Sequence, residues 1–219
     1  MRQLDSGRKG AAKGQAKAAV VFLHGYGADG ADLLGLADAL APHLPGVAFF
    51  APDAPDRCPG APFGRQWFPI PWIDGSTEEE QAAGLAAAAE DLNGFLDGLL
   101  AEEGLPAGAL ALLGFSQGAM MAMQVAPGRA EPVAGVVAIS GRLLAPERLA
   151  VEAAVKPPVL LLHGDRDDVV PFEDMSRAGN ALIEAGFETY GHVMKGMGHG
   201  IAPDGLGVAL RFLKDRLPG

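Results

Sequence analysis

Gly114-Phe115-Ser116-Gln117-Gly118 sets a serine between small residues, directly after the apolar run Ala109–Leu113 and at the head of a helical pattern over Gln117–Val125. A G-x-S-x-G pattern in this strand–turn–helix context puts the hydroxyl on a tight turn, where it can attack a carbonyl carbon. Such a turn strains its own backbone and brings strand and helix close together, so its neighbours must be small. Gly114, Gly118 and Ala119 supply that room. The helix that follows aims its unpaired N–H groups and the positive end of its dipole at Ser116, which favours a developing oxyanion. The chemistry implied is acyl transfer through a covalent serine intermediate.

A serine nucleophile needs a base, and three histidines follow it: His163, His192 and His199. His163 ends the apolar run Pro158–His163 and reads as a residue that shapes a turn. His192 lies in the mixed run Phe187–Met194, where side chains alternate, and reads as packing or surface. His199 follows Lys195-Gly196-Met197-Gly198, a loop between the last strand and the final helix, from which a base can reach a site at the strand ends; His199 is the candidate base. The acid should follow Pro158–His163, in a loop that offers Asp165, Asp167 and Asp168, and spacing alone does not choose among them. The two that do not orient the imidazole suit turn hydrogen bonds or a helix cap. Upstream, Leu23-His24-Gly25-Tyr26-Gly27-Ala28-Asp29 is a glycine-rich turn after the first strand. Its Tyr26 N–H and the N–H of Gln117 are the candidate oxyanion donors. The turn has no G-x-x-x-x-G-K-[ST] phosphate loop.

The elements that must position these residues read as alternating strands and helices. Ala18–Leu23, Val47–Ala51, Ala109–Gly114, Val133–Ser140 and Pro158–His163 are near-continuous apolar runs, as expected of strands covered on both faces of a parallel sheet. Phe187–Met194 is more mixed and belongs nearer an edge. Helices are predicted over Ala28–Ala41, Ser76–Glu103, Gln117–Val125, Phe172–Ala185 and Pro203–Leu217, the second opening on a Ser76-x-x-Glu79 capping box. The pattern predicts an α/β fold, mainly parallel, with helices on both faces and ligands at the carboxyl ends of the strands. Residues 1–17 are predicted as a flexible, solvated tail and 18–219 as one domain. The stretch Pro52–Gly75 is long and rich in Pro, Gly and aromatic residues, which marks it as functional. Phe63, Trp67, Phe68, Ile70 and Trp72 crowd this loop and suit an apolar wall or lid over an acyl chain. The competing reading is that two or three of them anchor the loop to the core. Met120, Met121 and Met123 read as core filling.

With these residues in place the chain resembles the phospholipase/carboxylesterase family of α/β-hydrolases, which includes the acyl-protein thioesterases. The resemblance runs from about Val20 to Leu217. It rests on Phe22-Leu23-His24-Gly25-Tyr26-Gly27, Arg65-Gln66-Trp67-Phe68, Gly114-Phe115-Ser116-Gln117-Gly118, the His163–Pro171 segment and Gly196-Met197-Gly198-His199. It implies the α/β-hydrolase fold, Ser116 as nucleophile, His199 as base, Asp167 as acid, and Tyr26 and Gln117 as oxyanion donors. It also implies a two-step hydrolysis of carboxylic esters that requires no metal or organic cofactor. The chain departs from the family in Tyr26, where a smaller aliphatic residue is common, in Ala119, where a second glycine is common, and in Pro69-Ile70-Pro71-Trp72. These departures bear on the acyl-chain preference.

Composition narrows the partners. Apolar residues make up 49% of 219 residues, enough for a large core, and the net charge of −10 makes nucleic acid and anionic lipid poor partners. No apolar run approaches the ~20 residues that span a bilayer, so stable membrane insertion is not expected. Residues 1–17 lack the apolar core of a secretory signal, and Cys58 alone cannot form an internal disulfide. A reducing, cytoplasmic setting is therefore expected, with Cys58 a bystander. The expected partner is a small ester or acyl substrate, with homodimerisation through the aromatic loop as a further option. Rival readings are an acyl-protein thioesterase or lysophospholipase using the same site, a peptidase-like or dienelactone-hydrolase-like enzyme, and a catalytically silent binding module on a hydrolase fold. Serine in place of cysteine argues against the dienelactone type, and retention of Ser116, His199 and the aspartates argues against the silent module.

Overall fold

In the computed structural model, which describes residues 1–59, 61 and 63–219, the buried apolar runs form the sheet that their composition predicts. The strands are β1 (Ser6–Gly10), β2 (Ala18–Leu23), β3 (Val47–Pro52), a small hairpin β4 (Asp56–Arg57) and β5 (Arg65–Gln66), then β6 (Leu110–Phe115), β7 (Gly135–Ile139), β8 (Val159–Gly164) and β9 (Thr189–Met194). The helices are α1 (Gly30–Leu34), α2 (Leu36–Leu40), α3 (Pro71–Asp74), α4 (Glu78–Glu103), α5 (Gln117–Val125), α6 (Pro146–Glu152), α7 (Glu173–Glu184) and α8 (Pro203–Arg216). Among the described residues the main sheet runs in the order β1-β3-β2-β6-β7-β8-β9, parallel except for β1 against β3.

Strand side chains alternate between two cores, which is why the central strands carry no polar positions. On β2, Ala19, Val21 and Leu23 face one core, closed by α4, α5, α6 and α7; Ala18, Val20 and Phe22 face the other, closed by α1, α2 and α8. The in-register neighbours Leu23↔Gly114 and Phe115↔Ile139 bring the ends of β2, β6 and β7 to one edge of the sheet. β9 is an edge strand with exposed positions, as its mixed composition predicts.

Several boundaries differ from the sequence reading. Residues 6–10 belong to the sheet rather than to a solvated tail: Ser6–Gly10 pairs antiparallel with β3. This edge strand is polar because its side chains find surface partners: Arg8 bonds Glu103 and covers the Phe50 ring, and Lys9 bonds Asp38. The predicted helix 28–41 is divided at Gly35 into α1 and α2. The capping box of α4 sits one residue later than predicted, on Thr77 and Glu80, because the Ser76 N–H is already taken by Asp74. The loop 52–75 contains the β4–β5 hairpin and α3, with Gly60 and Pro62 outside the described residues. α6 was not predicted; it starts after Ala145, whose φ of 46° breaks the pattern. Among the described residues no helix is long and apolar enough to cross a membrane.

Candidate active site

Ser116 lies at the carboxyl end of the central strand β6, with φ 55° and ψ −117°, a conformation a side-chain-bearing residue holds only under constraint. The constraint comes from both sides. The Ser116 N–H donates to Ile139 O at 2.8 Å, and its carbonyl accepts from Ala119 and Met120 as α5 begins. A Cβ at Gly114 would overlap the Gly118 carbonyl, and one at Gly118 would overlap the Leu23 carbonyl. The small residues read from the sequence are thus required by backbone-to-backbone approach.

Asp167 and His199 meet across two loops. His199 Nδ1 lies 2.8 Å from Asp167 Oδ2, while Oδ1 accepts from the Val169 and Val170 N–H groups at 3.0 and 2.9 Å. Burial opposes the charge on Asp167. The hydrogen bonds from His199, Val170 and Val169 outweigh it and hold the carboxyl below the ordinary carboxylate range. An ionised carboxylate only accepts, so His199 donates to it from Nδ1, with Nε2 on the far side of the ring. The loop carrying His199 is closely seated. Arg166 N–H donates to Met197 O at 2.9 Å, Gly196 N–H donates to Asp165 at 2.6 Å, and the imidazole packs 4.9 Å from the Phe115 ring, next to Ser116. Asp165 therefore serves the turn and Asp168 is exposed, which separates the three aspartates that spacing left open.

Tyr26 and Gln117 both present N–H groups that donate to no acceptor among the described residues. The buried His24, whose role the sequence did not reveal, orders the first of them. Its Nδ1 donates to Gly25 O at 2.8 Å and its Nε2 accepts from Ala54 N–H at 2.9 Å. Burial lowers the His24 pKa and keeps the ring neutral, as this pair of roles demands. In a trans peptide the N–H lies opposite the C=O, so fixing Gly25 O fixes the Tyr26 N–H. Gly25 itself abuts Ser116, its ideal Cβ position being 3.3 Å from Ser116 Cβ. The Tyr26 side chain turns inward, where burial, with Cys58 beside it, raises its hydroxyl pKa.

Of the five aromatic-loop candidates, Trp67, Phe68 and Ile70 are buried and pack in the core, so they anchor the loop rather than wall a pocket. Gln117 ties them down through its side chain, accepting from Trp67 N–H at 2.8 Å and donating to Phe68 O at 2.7 Å, a role no spacing announces. Trp67 in turn donates its indole N–H to His24 O at 3.0 Å. Phe63 and Trp72 are exposed, at 87% and 62%. His163 donates from Nε2 to Val170 O at 2.9 Å, the turn-shaping role expected of it, and lies 3.4 Å from Asp167. His192 is on the surface against Asp204.

The turn does carry a G-x-G-x-x-G spacing, Gly25 to Gly30, against the expectation that this pattern is absent from it. Two donors at its helix end are already used: the Gly30 N–H is taken by Asp53 and the Asp32 N–H by Asp29, so the chain's own carboxylates fill the start of α1. Among the described residues no three His, Cys, Asp or Glu side chains gather as a metal site.

The profile of the Phospholipase/Carboxylesterase family matches residues 10–217. The chain belongs to this family. As a family member it is a carboxylic ester hydrolase, and its relatives agree. An acyl-protein thioesterase 1 of Neurospora crassa is 31% identical over 219 residues, covering 92% of this chain and 87% of that protein. The crystal structure of esterase PE8 superposes with a TM-score of 0.93 at 43% identity, covering 99% of this chain and 100% of the other. Acyl-protein thioesterase 2 of Zea mays gives a TM-score of 0.77 at 28% identity, covering 98% and 99%. The fold and the hydrolase class expected from the motifs are those of the family.

Proposed function

We propose that this family member is a serine carboxylesterase that works through an acyl-enzyme on Ser116. The observation that carries the reading is the Asp167–His199 contact of 2.8 Å, with the imidazole packed on the ring of Phe115, the residue before a serine held at positive φ. His199 Nε2 takes the Ser116 proton as Oγ attacks the ester carbonyl, and Asp167 holds the imidazolium that forms. The carbonyl oxygen gains negative charge and is met by the N–H groups of Tyr26 and Gln117, worth about 10²–10³ in kcat per donor in such sites. The C–O bond to the alcohol breaks, the leaving oxygen collecting the proton from His199. Water, deprotonated by His199, then releases the acid and restores Ser116. A thioester reacts by the same steps with a thiol leaving, and a relative named acyl-protein thioesterase supports this as a second reading. The single, buried Cys58 fits a cytoplasmic setting.

Hydrolysis of p-nitrophenyl esters from acetate to palmitate tests the reading. Wild type should turn over, and Ser116→Ala should lose at least about 10³-fold in kcat/KM. A folded wild type inert toward every chain length and toward acyl thioesters overturns it.

A further inference from the structure

Arg142 stands three residues beyond the end of β7, next to Gly141, whose ideal Cβ position is 3.2 Å from Ser116 O and too close to Ala119 for any side chain. The segment leading to Arg142 is therefore packed on the nucleophile turn. Its guanidinium is built into place from two sides. Nε donates to Asp174 Oδ2 at 2.7 Å, and the group lies 5.5 Å from the centre of the Trp72 ring. Asp174 is buried, and its other oxygen accepts from Arg177 at 3.0 Å, so two cations share one carboxylate and the trio carries a net positive charge. Nη1 and Nη2 of Arg142 have no hydrogen-bond acceptor among the described residues, and the side chain remains 37% exposed. A cavity of about 330 Å³ opens here, with Arg142, Arg177 and Asp174 as its polar lining.

This cluster sits on a definite side of Ser116. His199 packs on Phe115, which belongs to the core under α1, α2 and α8. Leu143, the segment around Ile70 and the inner residues of α7 belong to the opposite core. The leaving group must stand near the base that protonates it, so the acyl group extends the other way, toward Trp72 and Arg142. An exposed indole followed by a fixed guanidinium with free N–H groups matches an aliphatic chain that ends in a carboxylate.

We propose that Arg142 is a specificity residue for half-esters of dicarboxylic acids, binding the free carboxylate at the far end of the acyl chain. In a protein of net charge −10, a fixed cation one residue from Gly141, which packs on the nucleophile turn, also offsets general repulsion of anionic substrates. The inference rests on the serine-esterase reading above.

The test compares kcat/KM for p-nitrophenyl hydrogen adipate and hydrogen suberate with p-nitrophenyl hexanoate and octanoate, near neutral pH. Wild type should favour the anionic ester of each pair, and Arg142→Gln should lower the anionic-to-neutral ratio by about tenfold or more, mainly through KM. Arg142→Lys should retain part of the preference. Arg142→Glu should shift it toward a trimethylammonio-hexanoate ester; if that variant does not fold beside Asp174, the glutamine and lysine variants decide the matter. A purely structural Arg142 would lower both esters alike and leave the ratio unmoved, which overturns the proposal. So does a wild type that hydrolyses the neutral esters with no preference for the charged ones. Failure on every ester would instead strike at the serine-esterase reading itself.

Discussion

At the residue scale the site is an exercise in holding polar groups in one protonation state. Asp167 stays ionised because three N–H donors point at it, and His24 stays neutral because it must donate at one nitrogen and accept at the other. Asp167→Asn keeps the shape but removes the acceptor that fixes the Nδ1–H tautomer of His199. It should lower kcat for a p-nitrophenyl ester by about 10⁴-fold, and a loss under about tenfold would deny Asp167 its role. Ser116 and His199 stand out in the sequence as candidates because a nucleophile turn needs glycines at fixed offsets and a base needs a loop at the strand ends. The aspartate could not be read from spacing, since Asp165, Asp167 and Asp168 share one turn and only the path of that turn decides which carboxylate meets the imidazole. His24 and the Gln117 side chain act through contacts with residues 30 and about 50 positions away, which no local pattern encodes.

At the scale of elements, the close contact of β2 with α5 sets the geometry. Gly118 lies against the Leu23 and His24 carbonyls, backbone that cannot yield as a flexible side chain would. Gly118→Ala should cost about 1–3 kcal/mol or more and lower Tm by about 2–12 °C, with a parallel loss of esterase activity. Gly108→Ala, at an open position, is the control. Equal melting temperatures for the two variants would refute the close-packing account. The parallel strands were readable because burial on both faces leaves an unbroken apolar run. β1 was not, because an outermost strand made of Ser, Gly, Arg and Lys is stabilised by main-chain pairing and surface ion pairs that leave no hydrophobic signature. Trp67, Phe68 and Ile70 left two readings open, wall or anchor, and their burial fits the anchor: an aromatic cluster in a loop looks the same in sequence whether it covers a substrate or plugs a core.

At the scale of the whole molecule, these protonation states link activity to stability. Unfolding frees His24 to its ordinary pKa near 6.5, while burial lowers it in the fold. Between the two values the unfolded chain binds more protons, so the stability contributed by neutral His24 is present above about pH 6.5 and is lost as pH falls below it. Asp167, whose folded pKa is depressed, adds a second loss, its contribution being present above about pH 3.9 and disappearing as pH falls through the lower folded value. Melting curves from about pH 8 to about pH 5 should show Tm falling more steeply in wild type than in His24→Asn, since the asparagine cannot take up the proton. Identical slopes would remove His24 from the account. The two-core sheet with helices on both faces followed from composition and periodicity, because alternation of β and α leaves few ways to bury apolar strands.

The central claim is that Ser116 is an activated nucleophile. Treating the folded protein with a fluorophosphonate and mapping the adduct by mass spectrometry tests it directly, since phosphonylation of Oγ with loss of fluoride requires an activated serine. The account predicts a single adduct on the peptide containing Ser116, slowed in Asp167→Asn and absent in Ser116→Ala. A folded wild type that takes no label, or an adduct of equal extent that persists in Ser116→Ala, would contradict it.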